Sequence, residues 1–412
     1  MLLKGNCLEL LAEMPDNSVD SIVTDPPYEL GFMGKSWDNS GIAYNVELWS
    51  QALRVLKPGG HLLAFGGSRT YHRLASAVED AGFEIRDQIM WLYGSGFPKS
   101  LNVGKAIDKA AGAEREMRVN ERWADRYPNG PGGNLTQNGQ IQQLKNISGN
   151  PLLTSNPVTD AAKQWDGWGT ALKPAHEPIV VARKPLIGTV ATKILTYGTG
   201  ALNIDGSRVG TTDNFDGLKG RPITKLATRR EGETNEEYKD RVLESPGQQE
   251  ALAKLKDLGR WPANVIHDGS EEVLEGFPNA RGLSGSKQES GFRFSPGAEY
   301  GEKQKLIQGT PSFGSAARFF YCAKASKSER NAGLENQNFH PTVKPIALMR
   351  YLVKLVTPPN GTVLDSFLGS GTTAVAAILE GFNWMGCEMT EDYWPIIEAR
   401  VAWAELQPKS LL

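Results

Sequence analysis

Two stretches of this 412-residue chain carry side chains whose types and spacing can do chemistry. The first is Asp25-Pro26-Pro27-Tyr28, directly after the apolar, β-branched run Ser21-Ile22-Val23-Thr24. That run reads as a short buried strand. The proline pair lacks backbone N–H groups and has fixed φ, so it stops the strand and stiffens the turn beyond it. Its carbonyls still accept hydrogen bonds. One loop therefore offers a carboxylate, rigid carbonyls and a flat ring, an arrangement able to hold a planar group bearing an NH2, such as a nucleobase edge. A proline-rich turn with an N-capping Asp is the plain alternative.

The second stretch spans residues 362–388. Thr362–Asp365 reads as a strand, Ser366-Phe367-Leu368-Gly369-Ser370-Gly371 as a turn, and Thr372-Thr373 as the opening of a helix. A second strand follows and ends in Glu388, 17 residues beyond Gly371. Glycines at 369 and 371 let the backbone pass close under a ligand, and the helix start favours an anion. An acid about 20 residues beyond such a turn takes ribose hydroxyls in nucleotide-binding α/β folds. The turn lacks the third spaced glycine of a dinucleotide fingerprint and the Gly-Lys-Thr of a phosphate loop. An adenosine carrying a carboxylate and a sulfonium, S-adenosylmethionine, fits it better, with Phe367 placed beside the cationic sulfur or the methionine chain.

Composition narrows the classes. Apolar residues make up 40% and charged residues 22%, ordinary for a globular protein. No apolar run approaches the length of a membrane span, and the first residues lack the pattern of a signal peptide. Cys7, Cys322 and Cys387 are far apart and odd in number, which fits a reducing cytoplasm and argues against disulfides or zinc; with five scattered histidines, no metal is expected. The formal charge is −2 but unevenly spread: residues 182–230 hold nine Lys/Arg against three Asp. Such a segment can present a basic face to phosphates.

Elements that would position the two stretches alternate along the chain. Residues 1–97 read as a strand at Leu2–Lys4, a helix over Leu8–Glu13, the Asp25 strand, a helix over Asn45–Leu56 and a glycine–proline stop at Lys57–Gly60. A strand over His61–Phe65, a helix over Tyr71–Ala81 and a strand over Gln88–Tyr93 follow. Residues 98–175 are polar and loop-like. A strand returns within 176–186. Residues 187–310 are mixed, with one charged helix from about Asn235 to Leu258. Residues 311–412 recover the pattern, with a strand-like Ala317–Tyr321, a helix over Ile346–Val356, the turn just described and a last helix over Tyr393–Trp403. Strands separated by helices imply an α/β fold with a doubly wound parallel sheet.

Taken with their order, Asp25–Tyr28 early and Asp365–Thr373 late, these stretches resemble the amino-group DNA methyltransferases of the permuted β type. Gly5-Asn6-Cys7-Leu8-Glu9, Val55–Gly60, His176-Glu177 and His340-Pro341-Thr342-Val343-Lys344-Pro345 support the resemblance, which covers about half of the chain. The middle segments are loosely similar to phage and prophage members. Two departures stand out: Asn6 where Asp is common, and Ser366 where proline is common.

The resemblance implies a Rossmann-like, seven-stranded mixed sheet in which Gln88–Tyr93 and Glu177–Lys184 form an antiparallel edge hairpin, with 187–310 as the target-recognition region. It implies Asp25, Pro26, Pro27 and Tyr28 as the catalytic group. Asn6, Cys7, His340, Thr342, Lys344, Asp365, Phe367, Gly369, Ser370, Gly371, Thr372, Thr373 and Glu388 would hold the cofactor, Lys344 near its carboxylate. Double-stranded DNA is the partner, with Arg221, Arg229 and Arg230 as candidate contacts. The reaction is methylation of adenine N6, as Asp at position 25 favours. Cytosine N4 methylation and a catalytically silent DNA-binding relative remain as alternatives. A homodimer stays open, and a restriction partner is not readable.

Overall fold

The computed structural model describes residues 1–31, 36–96, 100–119, 153–186, 188–210, 230–281, 313–323, 327–335 and 338–408. Within them the chain forms two compact units, one of residues 1–95 and 175–412 and the other of residues 96–174. The Pro128–Gly133 run, Arg221, Arg229 and the aromatics Phe292, Phe294 and Tyr300 lie outside the described residues.

The larger unit is built on one sheet. Its strands are β1 (Leu2–Lys4), β2 (Val19–Thr24), β3 (Leu56–Phe65), β4 (Glu84–Leu92), β5 (His176–Arg183), β6 (Val265–His267), β7 (Tyr321–Cys322), β8 (Thr362–Asp365) and β9 (Asn383–Glu388). They are ordered β1-β9-β8-β2-β3-β5-β4-β6-β7. All neighbours are parallel except β3–β5 and β5–β4. The expected seven strands are thus nine. The β4–β5 pair is antiparallel as expected but is not an edge, because β6 and β7 extend the sheet past β4. These two strands have only three and two residues, too short for a periodic pattern to reveal. Of Ala317–Tyr321, expected as strand, only Tyr321 is in β7; most residues before it belong to a 3-10 turn, Ala316–Phe319, that delivers the chain to β7.

Apolar residues on both faces of the central strands feed two cores. Ile22, Leu62, Val180 and Ala182 pack on one side against helices α1 (Cys7–Glu13), α2 (Val46–Val55) and α3 (Tyr71–Asp80). Val23, Leu63, Ile179 and Val181 pack on the other against α4 (Ile346–Val356) and α5 (Thr372–Leu379). A last helix, α6 (Trp394–Glu405), covers α5 through Val401 and Ala404. Local chemistry sets the helix starts. Asn6 and Asn45 cap α1 and α2 by accepting from Leu8 N and Glu47 N, each at 2.9 Å. The charged stretch expected as one helix is two, Asn235–Leu243 and Pro246–Leu258, because Ser245 caps a new helix with proline in its first turn.

Lys57–Gly60 follows directly on the end of α2, as expected of a helix stop, but it is not a loop before His61. It lies inside β3, where the register against β2 jumps from Val19↔Leu56 to Ser21↔His61. The glycines serve this bulge. A Cβ on Gly60 would lie 2.8 Å from the Asp20 carbonyl oxygen, an approach no other residue tolerates.

From β2 the chain crosses to β3 on one side, and from β8 to β9 on the other, although β2 and β8 are neighbours. Their carboxyl ends therefore flank a topological switch point, where open α/β sheets leave a crevice. The smaller unit contains helices Val103–Ala110 and Asp160–Gln164 and a hairpin of 117–119 with 153–155. Its buried Asp108 accepts from Arg115, Val158 and Thr159.

Candidate active site

Both chemical stretches sit at that switch point, and one hydrogen bond joins them. Thr24 ends β2 and donates through its hydroxyl to Asp365 Oδ1 at 2.6 Å, at the end of β8. Phe367 N donates to the same oxygen at 3.0 Å, and the Thr373 hydroxyl to Oδ2. Burial pushes the Asp365 carboxyl up to about 6, against the pull of these donors. The carboxylate pins the turn to both the strand before it and the helix after it.

The turn itself needs its glycines. Gly369 and Gly371 have φ of 54° and 81°, the left-handed region that L side chains rarely adopt. A Cβ on Gly369 would lie 3.0 Å from His340 Nε2, and one on Gly371 3.3 Å from Ile397 Cγ2. Glu388 closes the far side. Its Oε2 accepts from Gly369 N at 2.8 Å and its Oε1 from Thr390 N at 2.7 Å, and burial raises its pKa. Each oxygen has lone pairs beyond these bonds for hydroxyl donors. Gly5 N donates to the Glu388 carbonyl at 3.0 Å, bringing Asn6 and Cys7 to the same edge. Asn6 is exposed, whereas Cys7 is buried and burial pushes its thiol up to about 11.

His340 stacks edge-on against Tyr393, with ring centroids 4.5 Å apart, and lies beside Gly369. Its Nδ1 accepts from Thr342 N at 3.3 Å, and burial lowers its pKa to about 4, so the ring is neutral. Thr342 is exposed. Phe367 is half-buried at the strand tip against the first core.

Lys344, expected beside a cofactor carboxylate, contacts Asp25, Tyr28 and Glu177. Its ammonium is 2.6 Å from Asp25 Oδ2, 3.2 Å from the Tyr28 hydroxyl and 3.3 Å from Glu177 Oε2. Burial alone would lower its pKa; Asp25 and Glu177 outweigh it and raise it. Tyr28 donates its hydroxyl to Glu177 Oε2 at 2.7 Å, and its pKa is raised by burial and by both carboxylates. The other oxygen of Asp25, Oδ1, is buried and has no partner among the described residues. A buried carboxylate oxygen left open is costly, and this atom retains the capacity to accept a hydrogen bond. The exit of the loop is braced: the Thr70 hydroxyl donates to the Tyr28 carbonyl at 2.8 Å, and buried Asp38 accepts from Glu29 N and Leu30 N. Pro26 is buried and Pro27 half-buried.

Three residues that contact the two stretches could not be singled out in the sequence. Thr24 looked like a strand end. Glu177 counted only as half of a dipeptide. Arg400 is fully buried and donates through Nη1 to Ser370 O at 2.7 Å, and to Ser370 Oγ and Thr372 Oγ1 at 3.0 Å each. Burial lowers its pKa to about 10. A lone arginine amid Ile396, Ile397 and Ala404 in α6 was the available signal. Of the candidate DNA contacts only Arg230 is described; it is exposed, and its backbone N–H donates to Glu233 at 3.0 Å. Among the described residues there is no group of metal-ligating side chains, and no helix is long and apolar enough to cross a membrane.

Comparison with known proteins adds a family. A family model described as a DNA methylase, N6/N4 type, matches residues 19–399. YubD of Escherichia coli (strain K12), described provisionally as a methylase, is 43% identical over 63 residues, 15% of this chain and 28% of that protein. The type II methyltransferase M.HinfI of Haemophilus influenzae is 29% identical over 109 residues, 22% of this chain and 30% of that protein. The matches thus span under a third of these relatives' lengths. Among solved structures, the M1.HpyAVI complex with S-adenosylmethionine shares 14% identity at a TM-score of 0.40, covering 97% of this chain and 98% of that one. The cytosine-N4-specific PvuII DNA methyltransferase shares 14% identity at 0.42, covering 98% and 86%.

Proposed function

The chain belongs to the N6/N4 DNA methylase family, and from that premise we propose that it methylates the exocyclic N6 amine of adenine at specific sites in double-stranded DNA. The observation that carries this reading is the open, buried Oδ1 of Asp25 beside a half-buried aromatic ring. S-adenosylmethionine is the cofactor, and when bound it supplies an electrophilic methyl group on a sulfonium. The residues present fit it: Glu388 retains lone pairs for the ribose hydroxyls, and the Gly369–Gly371 turn leaves space that side chains would fill. Asn6, Cys7, His340, Thr342, Phe367 and the Ser370–Thr373 segment would line the same pocket.

An adenine amine is a poor nucleophile because its lone pair is delocalised into the ring. Asp25 Oδ1 and the Pro26 carbonyl would accept its two hydrogens, so that the nitrogen pyramidalises and turns its lone pair toward the methyl. Tyr28 would stack on the base and fix its plane. The N–CH3 bond forms as the S–CH3 bond breaks, and the surplus amine proton leaves through Asp25 or water. Positioning within ~3–3.5 Å supplies much of the rate. A base inside a duplex cannot reach this crevice, so it must flip out at a cost of a few kcal/mol. Basic residues of 187–310, with Arg221, Arg229 and Arg230 as candidates, would bind phosphates.

The test is methylation of duplex DNA in vitro followed by digestion to nucleosides. N6-methyl-2′-deoxyadenosine is the expected product. N4-methyl-2′-deoxycytidine alone would move the specificity to cytosine, and cofactor binding without transfer to any DNA would favour a silent relative.

A further inference from the structure

Glu177 is the second residue of β5, in register with Trp91. Strand pairing there is made by backbone, so the sheet does not require a carboxylate. Yet the hydrogen bond and the ion pair of this half-buried side chain go to the acceptor loop and to the lysine that grips it. Oε2 takes the Tyr28 hydroxyl at 2.7 Å and lies 3.3 Å from the Lys344 ammonium, which reaches Asp25 Oδ2 at 2.6 Å. Tyr28, Glu177, Lys344 and Asp25 form a closed cluster drawn from three distant parts of the chain. A buried ion pair of this kind contributes little net stability compared with apolar residues of the same size. Its consequence is geometric. The Tyr28 ring is held at both ends, by Thr70 on its backbone carbonyl and by Glu177 on its hydroxyl. Asp25 is held by one oxygen, and the other, Oδ1, is buried without a hydrogen-bond partner among the described residues.

We infer that Glu177 is a positioning residue for methyl transfer: through Tyr28 and Lys344 it fixes the plane of the flipped base and the orientation of the Asp25 acceptor. This rests on the proposed methyltransferase reading and assigns a role to a residue outside the Asp25–Tyr28 loop. A charge-assisted hydrogen bond to a phenol is short and directional, and displacements of about 1 Å near reacting atoms cost on the order of 100-fold in rate.

The test is a double-mutant cycle in single-turnover methylation of DNA, using Tyr28→Phe and Glu177→Met. Each removes one side of the same bond. Each single variant should slow transfer about tenfold, and the double variant about tenfold rather than a hundredfold, because the two losses are one interaction. Glu177→Gln, which keeps an acceptor for the phenol, should restore most of the rate. Affinities for S-adenosylmethionine and for DNA, measured separately, should stay within about twofold in all variants, which a loss of folding would not allow. Multiplicative losses, losses confined to affinity, or a Tyr28→Phe variant at the wild-type rate would overturn the inference. The Tyr28→Phe arm decides it even if Glu177→Met fails to fold. A wild-type chain that transfers no methyl to DNA would overturn the underlying reading and this inference with it, whereas an active wild type with unaffected variants would overturn the inference alone.

Discussion

The acceptor loop at the end of β2 and the glycine turn at the end of β8 are neighbours in the sheet, yet they are held by different means. In the turn, the two carboxylates find their donors within the protein, although Ser366 Oγ and Arg400 Nε are buried without a partner among the described residues. Asp365 takes Thr24, Phe367 and Thr373; Glu388 takes Gly369 and Thr390; Arg400 holds Ser370 and Thr372. In the loop, the side chains that hold Asp25 and Tyr28 come from 319 and 149 residues away, and one carboxylate oxygen is left over. A site of the first kind is a preformed receptacle. A site of the second kind is complete only when something donates to it. Such a division suits a protein that must hold one ligand by shape and capture a second by its hydrogens.

That contrast is most open to attack at Asp25. Replacing it with Ala removes the open acceptor and leaves the turn untouched. Single-turnover transfer should fall by about 10³-fold, while affinity for S-adenosylmethionine, read by calorimetry, should change by no more than about threefold. The loss would then belong to the transition state rather than to ground-state binding. Wild-type-like turnover would remove Asp25 from the chemistry.

The converse variant is Gly371→Val. It places a β-branched side chain at φ 81° and its Cβ 3.3 Å from Ile397. Strain in the turn and filling of the space beneath the ligand should weaken cofactor binding by about 100-fold or more. Retained affinity would mean that the turn is not the receptacle.

The same contrast explains what could be read from the chain before its structure. The turn was legible because most of its parts are close in sequence: strand, glycines, helix and terminal acid fall within 362–388, and each has a local signature. The central strands and their two-sided burial were legible for a similar reason, since continuous apolar runs such as Ile179–Ala182 have few other uses. The loop was visible as a motif but not as a site, because the identity of its partners depends on tertiary folding. Nothing local to Lys344 says that its ammonium meets Asp25 and Glu177, because the two carboxylates arrive from separate parts of the chain. β6 and β7 were missed because strands this short are specified by the edge they join, and Lys57–Gly60 was legible as the stop of α2 but not as part of β3, because glycine and proline signal a stop and a bulge alike.

Burying Asp365 beneath the turn has a cost that depends on pH. Asp365 has its folded pKa raised from 3.8 to about 6, chiefly by burial. A raised carboxyl contributes stability that is fully present below its unfolded pKa and is lost as pH rises through the folded value. Between about pH 4 and 7 the wild type should therefore lose on the order of 2–3 kcal/mol relative to Asp365→Asn, a shift of about two pKa units. Urea unfolding of both proteins across that range measures the difference. A difference that stays constant with pH would show that the carboxylate is ionised at no cost and that its donors compensate burial fully.

The smallest effect is expected at Arg400, and it asks how rigid the receptacle must be. Its guanidinium is buried with its charge intact, held at Nη1 by three oxygens of the Ser370–Thr372 segment and, more loosely, at Nη2 by the Glu329 carbonyl at 3.5 Å. A lysine keeps the charge but not the planar fork, and its shorter reach cannot serve Ser370 and the Glu329 carbonyl together. Arg400→Lys should leave Asp365 and Glu388 in place while loosening the segment between the two glycines. Affinity for S-adenosylmethionine should drop about tenfold, equivalent to about 1.4 kcal/mol, with the single-turnover rate at saturating cofactor nearly unchanged. A rate loss at saturation would mean that the turn also positions the reacting methyl. The separation between a receptacle that only binds and a loop that only aligns would then fail at this residue.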